Sequence, residues 1–226
     1  MPSVVDICNL ALSHIGDSAN ISSISPPDGS AQAGYCAIFY PIACASAFEM
    51  ASWGFTTCRG TLAAVNNPST TWLYAYAVPS GMIHALAVLP SDALDDYTEN
   101  WAQQQPSLYP EPNYSNPAAN FYTPQPFATE IVADGSMIIL TNVASAVLRY
   151  TRAASDPTQF PALFVMALSY LLASMLAGPI LKGDAGSAKS KEMLGLSQVY
   201  MAQAEGSDAD ERRIVLQQSV PWMARR

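Results

Sequence analysis

No charged residue occurs between Phe160 and Leu181. A helix over that stretch would be about 30 Å long, with no charge to hold it in water. Two settings accept such an element: the hydrocarbon of a bilayer, or a protein interior that surrounds it. Pro161, Ser169, Ser174, Gly178 and Pro179 interrupt the run and argue against the bilayer. The reading is a central helix, opening at Asp156-Pro157 and running to about residue 182. It is buried on all sides, partly by neighbouring subunits. Phe164, Leu168, Leu171, Leu172 and Met175 are its candidates for subunit-to-subunit packing.

The whole chain is poor in charge. Only 12% of its 226 residues are charged and 50% are hydrophobic, against roughly 25% charged in an ordinary soluble domain. So little charge leaves a monomer's surface hard to solvate, which again points to burial by partners. The net charge of −8 excludes nucleic-acid binding by counterion release, which needs clustered Lys and Arg. The N-terminus has no basic region, and Asp6 comes early, so no secretory signal is expected.

Helical and extended stretches alternate in blocks. Ser3, with Asp6 three positions on, has capping-box spacing for a helix over 3–15, with Val5, Cys8, Ala11, Leu12 and Ile15 on one face and Gly16 as its stop. Asp28 or Ser30 can cap a second helix from about 30 to 52, kinked at Pro41 and ended by Trp53-Gly54-Phe55. Strands are expected over 55–65, 72–78, 82–89 and 146–151, with a hairpin of 128–133 and 136–141 about Asp134-Gly135. After the uncharged helix, a further one over about 187–205 puts Met193, Leu196, Tyr200 and Ala204 on one side. The fold class is α+β: a helical bundle of two N-terminal and two C-terminal helices (1–54 and 155–206) with an inserted β-rich domain (55–154), then a C-terminal arm (207–226).

Residues 103–127 interleave Pro106, Pro110, Pro112, Pro117, Pro124 and Pro126 with aromatics. That proline density forbids a helix and gives an extended loop. Tyr109, Tyr114, Phe121 and Tyr122 make it a contact surface rather than a solvated linker.

No set of residues assembles into a catalytic constellation. His14 and His84 are the only histidines, and neither has a Cys, His, Asp or Glu at metal-ligand spacing. Cys8, Cys36, Cys44 and Cys58 form no C-x-x-C pair and sit in apolar settings, as packed reduced thiols do in the cytosol. Asp92, Asp95, Asp96 and Glu99 read as a solvated face. The stretch from Gly183 to Ser190 superficially resembles a phosphate loop. It lacks the adjacent Gly-Lys and the preceding strand, and reads as an interhelical turn. No cofactor, no metal and no enzymatic activity are expected.

The order of segments carries a resemblance. Cys8-Asn9-Leu10-Ala11-Leu12 precedes Ile15-Gly16. The helix 31–50, with Cys36 and Tyr40-Pro41, ends in Ala51-Ser52-Trp53-Gly54-Phe55. Trp72 to Val78 leads into Pro79-Ser80. Asp156-Pro157 runs through Phe160 and Phe164 into the apolar helix ending Ala177-Gly178-Pro179, and a last helix carries Tyr200 and Ala204. Over roughly residues 1–206 this series resembles the head-to-tail adaptor family of short-tailed bacteriophages, the tail tubular protein A-like proteins. Gly81 stands where that family often has Asp, and 103–127 looks like an insertion. The resemblance implies a structural virion protein, made in the host cytoplasm and located at the neck and tail. It would form a homo-oligomeric ring, a dodecamer, between the portal protein and the tail nozzle. DNA would transit the ring without specific binding, and no membrane would be involved. It further implies that Val220, Pro221, Trp222, Met223, Arg225 and Arg226 dock on the portal, and that the aromatics of 103–127 face the tail partner. The alternatives are another tail or head-completion ring component, or a membrane-associated protein.

Overall fold

The computed structural model describes residues 2–18, 20–91 and 125–211. Among the described residues, four α-helices and two small antiparallel sheets make an α+β fold. The described residues divide into two compact units: the chain up to Thr57 together with that from Arg152 onward, and Cys58–Thr151.

In the first unit, helix α1 spans Val4–His14. The Ser3 hydroxyl accepts the Asp6 N–H at 3.2 Å, and the Asp6 carboxylate accepts the Ser3 N–H at 2.8 Å. These reciprocal bonds satisfy two of the donors a helix start leaves open, and they hold the Asp6 carboxyl below its usual range. The buried face is Ile7, Cys8, Ala11 and Leu12. Helix α2 spans Ala31–Met50. Ser30 is its cap, accepting from Ala33 N–H at 3.1 Å, while Asp28 accepts the Ser30 hydroxyl proton at 2.6 Å. Asp28 therefore positions the cap rather than acting as one. Helix α2 continues through Pro41.

Helix α3 spans Ala162–Leu181 and begins later than the sequence predicts. Asp156-Pro157 opens only a 3-10 turn, Pro157–Gln159. Pro161 has no N–H to continue it, and it forces Phe160 into an extended conformation (ψ 131°). Helix α4, Gly183–Glu211, differs more. The expected interhelical turn over 183–190 is instead its first two turns, and residues 207–211, assigned to the arm, are its last. The reversal is confined to Lys182 and Gly183, both with positive φ (56° and 60°). The Ala and Ser residues that follow are free to be helical, and Asp184 favours the helix's N-terminal dipole. Helix α3 packs against α1, α2 and α4. The crossing with α4 is close: a Cβ on Gly186 would lie 2.9 Å from the Ala177 carbonyl oxygen.

The second unit holds strands β1 (Thr57–Thr61), β2 (Tyr74–Ala77), β3 (Met82–Leu89), β4 (Phe127–Ile131), β5 (Met137–Thr141) and β6 (Val147–Arg152). They form two three-stranded sheets, ordered β1-β6-β3 and β2-β5-β4. The β4–β5 hairpin turns at Asp134-Gly135, where Gly135 adopts φ 84° and the Asp134 carboxylate accepts the Ser136 N–H at 2.8 Å. Phe127, placed by the sequence at the end of the proline loop, starts β4 and pairs with Thr141. The core gathers Leu62, Tyr76, Val88, Ile139, Leu148 and Tyr150. The Tyr76 hydroxyl donates to Val143 O at 2.8 Å, which anchors the turn between β5 and β6. Residues 55 and 56, expected to open the first strand, belong to a 3-10 turn, Gly54–Thr56.

Candidate functional site

The feature of the first unit that its own packing leaves unexplained is the outer face of α2. Ala33, Cys36, Ala43 and Ala47 are fully buried, while Ile38 is 59% exposed and Ile42 51%. Ala31, Tyr35, Ile38, Ile42, Ala45 and Glu49 recur at intervals of four, three, four, three and four, so they form one stripe along the helix. Glu49 is its only charge. Tyr35 and Phe39 stack at 6.4 Å and broaden the face. Apart from Phe48, which is buried near the C-terminal end, the residues facing inward are small, and Ile38 and Ile42 face outward.

An aromatic cluster fixes the C-terminal end of α2. Phe164 stacks on Phe48 at 5.4 Å and meets Trp53, Phe55 and Phe160 edge to face at 5.1–5.2 Å. The Trp53 indole N–H donates to Ala47 O at 2.9 Å, so its one polar atom is satisfied inside. Both oxygens of Asp208, on α4, accept the Gly54 N–H at 2.7 and 2.9 Å. The chain leaving α2 is thus tied to the far end of α4.

His14 and the Cys8–Cys36 pair have structural partners. His14 stacks on Tyr170 at 4.0 Å, and Tyr170 on Tyr200 at 5.1 Å. Ser169 donates its hydroxyl to Met166 O at 2.8 Å, so it accepts at 3.1 Å from His14 Nε2, which carries the proton. Burial and the nearby Lys189 ammonium push the His14 pKa down. Cys8 and Cys36 are buried against each other, and the bond to Cys36 with burial pushes the Cys8 thiol up. All four cysteines are free thiols. His84 lies in β3, where its backbone N–H donates to Thr151 Oγ1 at 3.1 Å. Among the described residues, no group of three or more His, Cys, Asp or Glu could hold a metal ion.

The second unit exposes Leu73 and Ile131 to about 70% (70% and 69%). Beside its hairpin, Val65, Pro68, Ala77, Val132, Met137 and Ile138 line an open cleft of about 500 Å³.

The residues predicted to pack subunits are placed otherwise. Phe164, Leu168, Leu171 and Leu172 are buried inside the first unit by its own helices, and only Met175 is partly open. They are unavailable to another chain, because a helix surrounded by three others needs no subunit to cover it. Tyr109, Tyr114, Phe121, Tyr122, the cluster Asp92–Glu99, and Val220, Pro221, Trp222, Met223, Arg225 and Arg226 all lie outside the described residues. Sequence reasoning missed the α2 face. Its signal was present in the spacing of Tyr35, Ile38 and Ile42, but α2 is apolar on all sides, and periodicity alone does not tell the inner face from the outer.

Among the described residues, two helices, α2 and α3, are long and apolar enough to cross a membrane. For α3, 61% of the apolar window is buried within the protein, against 28% for α2. The chain matches no protein-family model and no curated protein.

Proposed function

We propose that the chain is a non-enzymatic structural subunit. In this reading it forms the head-to-tail adaptor ring that joins a portal to a tail nozzle and leaves a channel for DNA. Its finer architecture is then a helical bundle, built from both ends of the chain, with the β-rich domain inserted. The observation that carries the reading is the outer face of α2, with Ile38 and Ile42 in solvent and Glu49 as its single charge. Monomers rarely expose contiguous apolar surface of that kind, and assembly subunits do. The ordered resemblance over residues 1–206 gives the kind of assembly. An acidic lining would let DNA slide without being held, because like charges repel.

The test is to mix the purified full-length chain with the portal ring of the same phage and measure mass and symmetry by native mass spectrometry and electron microscopy. A ring with a central opening, seated on the portal, is expected. A chain that stays monomeric with and without portal refutes the proposal. The exposure of α2 also favours a second reading, a membrane-associated protein. Against it, α2 carries no Lys or Arg to meet lipid headgroups. Flotation with liposomes in the absence of portal would reverse that preference.

A further inference from the structure

We infer that Cys8 and Cys36 are the two halves of a latent disulfide, open while the chain is in a reducing cytosol and closed once a small oxidant reaches it. The bond ties α1 to α2 within one chain. Its timing rests on the ring reading, in which the subunit is made inside the host and works outside it. The pairing itself does not.

The pairing follows from placement. Cys36, Tyr40 and Cys44 stand four residues apart along α2, so they share one face of that helix. Cys8 comes to this face from α1 and makes a side-chain hydrogen bond with Cys36. Both are fully buried. Cys44 is half-buried and bonds the Tyr40 side chain instead. Cys58 belongs to the second unit. Packing alone does not call for sulfur here, since Ala33, Ala43 and Ala47 fill the rest of the small-residue face of α2.

The hydrogen bond divides the chemistry between the two sulfurs. It holds the Cys36 thiol below its usual range, while the same bond and burial push the Cys8 thiol up, so Cys8 keeps its proton. Cys36 is therefore the nucleophile. With a small disulfide as oxidant, the Cys36 thiolate attacks one of its sulfurs, forms a mixed disulfide and expels a thiolate. Cys8 gives its proton to that thiolate and attacks Cys36 Sγ, which expels the second thiolate. The second thiolate takes up the proton that Cys36 lost. Two protein thiols are oxidised, and one small disulfide is reduced to two thiols. Entry needs a local opening of the 11-residue α1. Once the bond is formed, the same burial shields it from larger reductants.

The experiment incubates the folded full-length chain with hydroxyethyl disulfide, alkylates the remaining thiols and maps them by peptide mass spectrometry. The four free thiols should fall to two, with the Cys8 and Cys36 peptides joined. Closing the chain from residue 8 to residue 36 should raise the melting temperature by roughly 7–14 °C, and reduction should reverse it. Cys44→Ser should leave the joined peptides unchanged, and Cys36→Ser should abolish them. Four persistent thiols, or bonds that engage Cys44 or Cys58 as readily, overturn the pair. The same mapping on particles released from the host and on infected-cell lysate tests the timing. A bond in the particles and free thiols in the lysate is expected. Free Cys8 and Cys36 in released particles would sink the switch and leave the adaptor reading standing. A bond in a chain that never assembles would keep the pair and sink the reading beneath its timing.

Discussion

Gly186 tests how closely α3 and α4 approach. Replacing it by Ala should act in two directions. A glycine inside a helix costs about 1 kcal/mol relative to Ala, so the new methyl should stabilise α4 by that amount. At this position, though, the methyl would stand 2.9 Å from the Ala177 carbonyl oxygen and 3.5 Å from Gly178 Cα. These are backbone atoms that cannot swing aside, and overpacking of that kind costs about 1–3 kcal/mol. Gly195 supplies the control, since it lies on the same helix with nothing within 4 Å of its added Cβ. The propensity gain is common to both changes, so the difference between Gly195→Ala and Gly186→Ala isolates the steric cost. For a chain of this size 1 kcal/mol moves the melting temperature by about 2–4 °C. Thermal and urea melts should place Gly186→Ala below Gly195→Ala by about 1–3 kcal/mol, measured at concentrations where the chain is monomeric. Equal stability of the two variants would refute the close crossing and, with it, the reason a glycine is needed there.

Other perturbations separate the core from the surface. Phe164→Ala should cost about 3–5 kcal/mol, because the ring is fully buried among Phe48, Trp53, Phe55 and Phe160. Ile38→Ser should change stability by no more than about 0.5 kcal/mol, yet reduce assembly in the native mass spectrum. Asp208→Ala removes a charge-assisted bond to the Gly54 N–H and should cost about 1.5–3 kcal/mol in urea titrations. The His14 pKa is depressed in the folded chain below 6.5, so the unfolded chain takes up the proton first as pH falls. Stability from this group is complete above pH 6.5 and declines as pH drops from there toward the lowered folded value. His14→Gln should flatten that part of the urea-midpoint profile between pH 8 and 5, and an unchanged slope would contradict the burial of the ring.

Local chemistry was legible where a single residue type decides the outcome. The Ser3-Asp6 capping box and the turn at Asp134-Gly135 rest on contacts within a few residues, and the strand over 82–89 shows in its own apolar run although it pairs with the distant β6. The boundary of α3 was misplaced because two prolines competed, and Pro161 overrode Pro157. The junction at Lys182 was missed for a different reason. A non-glycine residue with positive φ is uncommon and is held there by the packing of α4 back onto α3, a tertiary demand that the sequence around it does not display.

The apolar helices show the limit most clearly. Low charge indicated that apolar surface had to be covered, but it did not say which helix the chain would cover itself. The uncharged α3 was the natural candidate for subunit packing, yet it spends its surface on α1, α2 and α4 within one chain. Helix α2 carries a charge and is less hydropathic (1.2 against 1.9), yet it leaves Ile38 and Ile42 outside. The difference lies in residue size. Ala33, Cys36, Ala43 and Ala47 let α2 sit close to its neighbours, and close packing on small residues turns Tyr35, Ile38 and Ile42 away from them. Burial within a chain and burial between chains draw on the same hydrophobic effect, so composition registers only their sum. The division between them depends on which face each helix commits to its own core. In α2 that commitment went to Ala33, Cys36, Ala43, Ala47 and Phe48, which leaves Ile38 and Ile42 exposed.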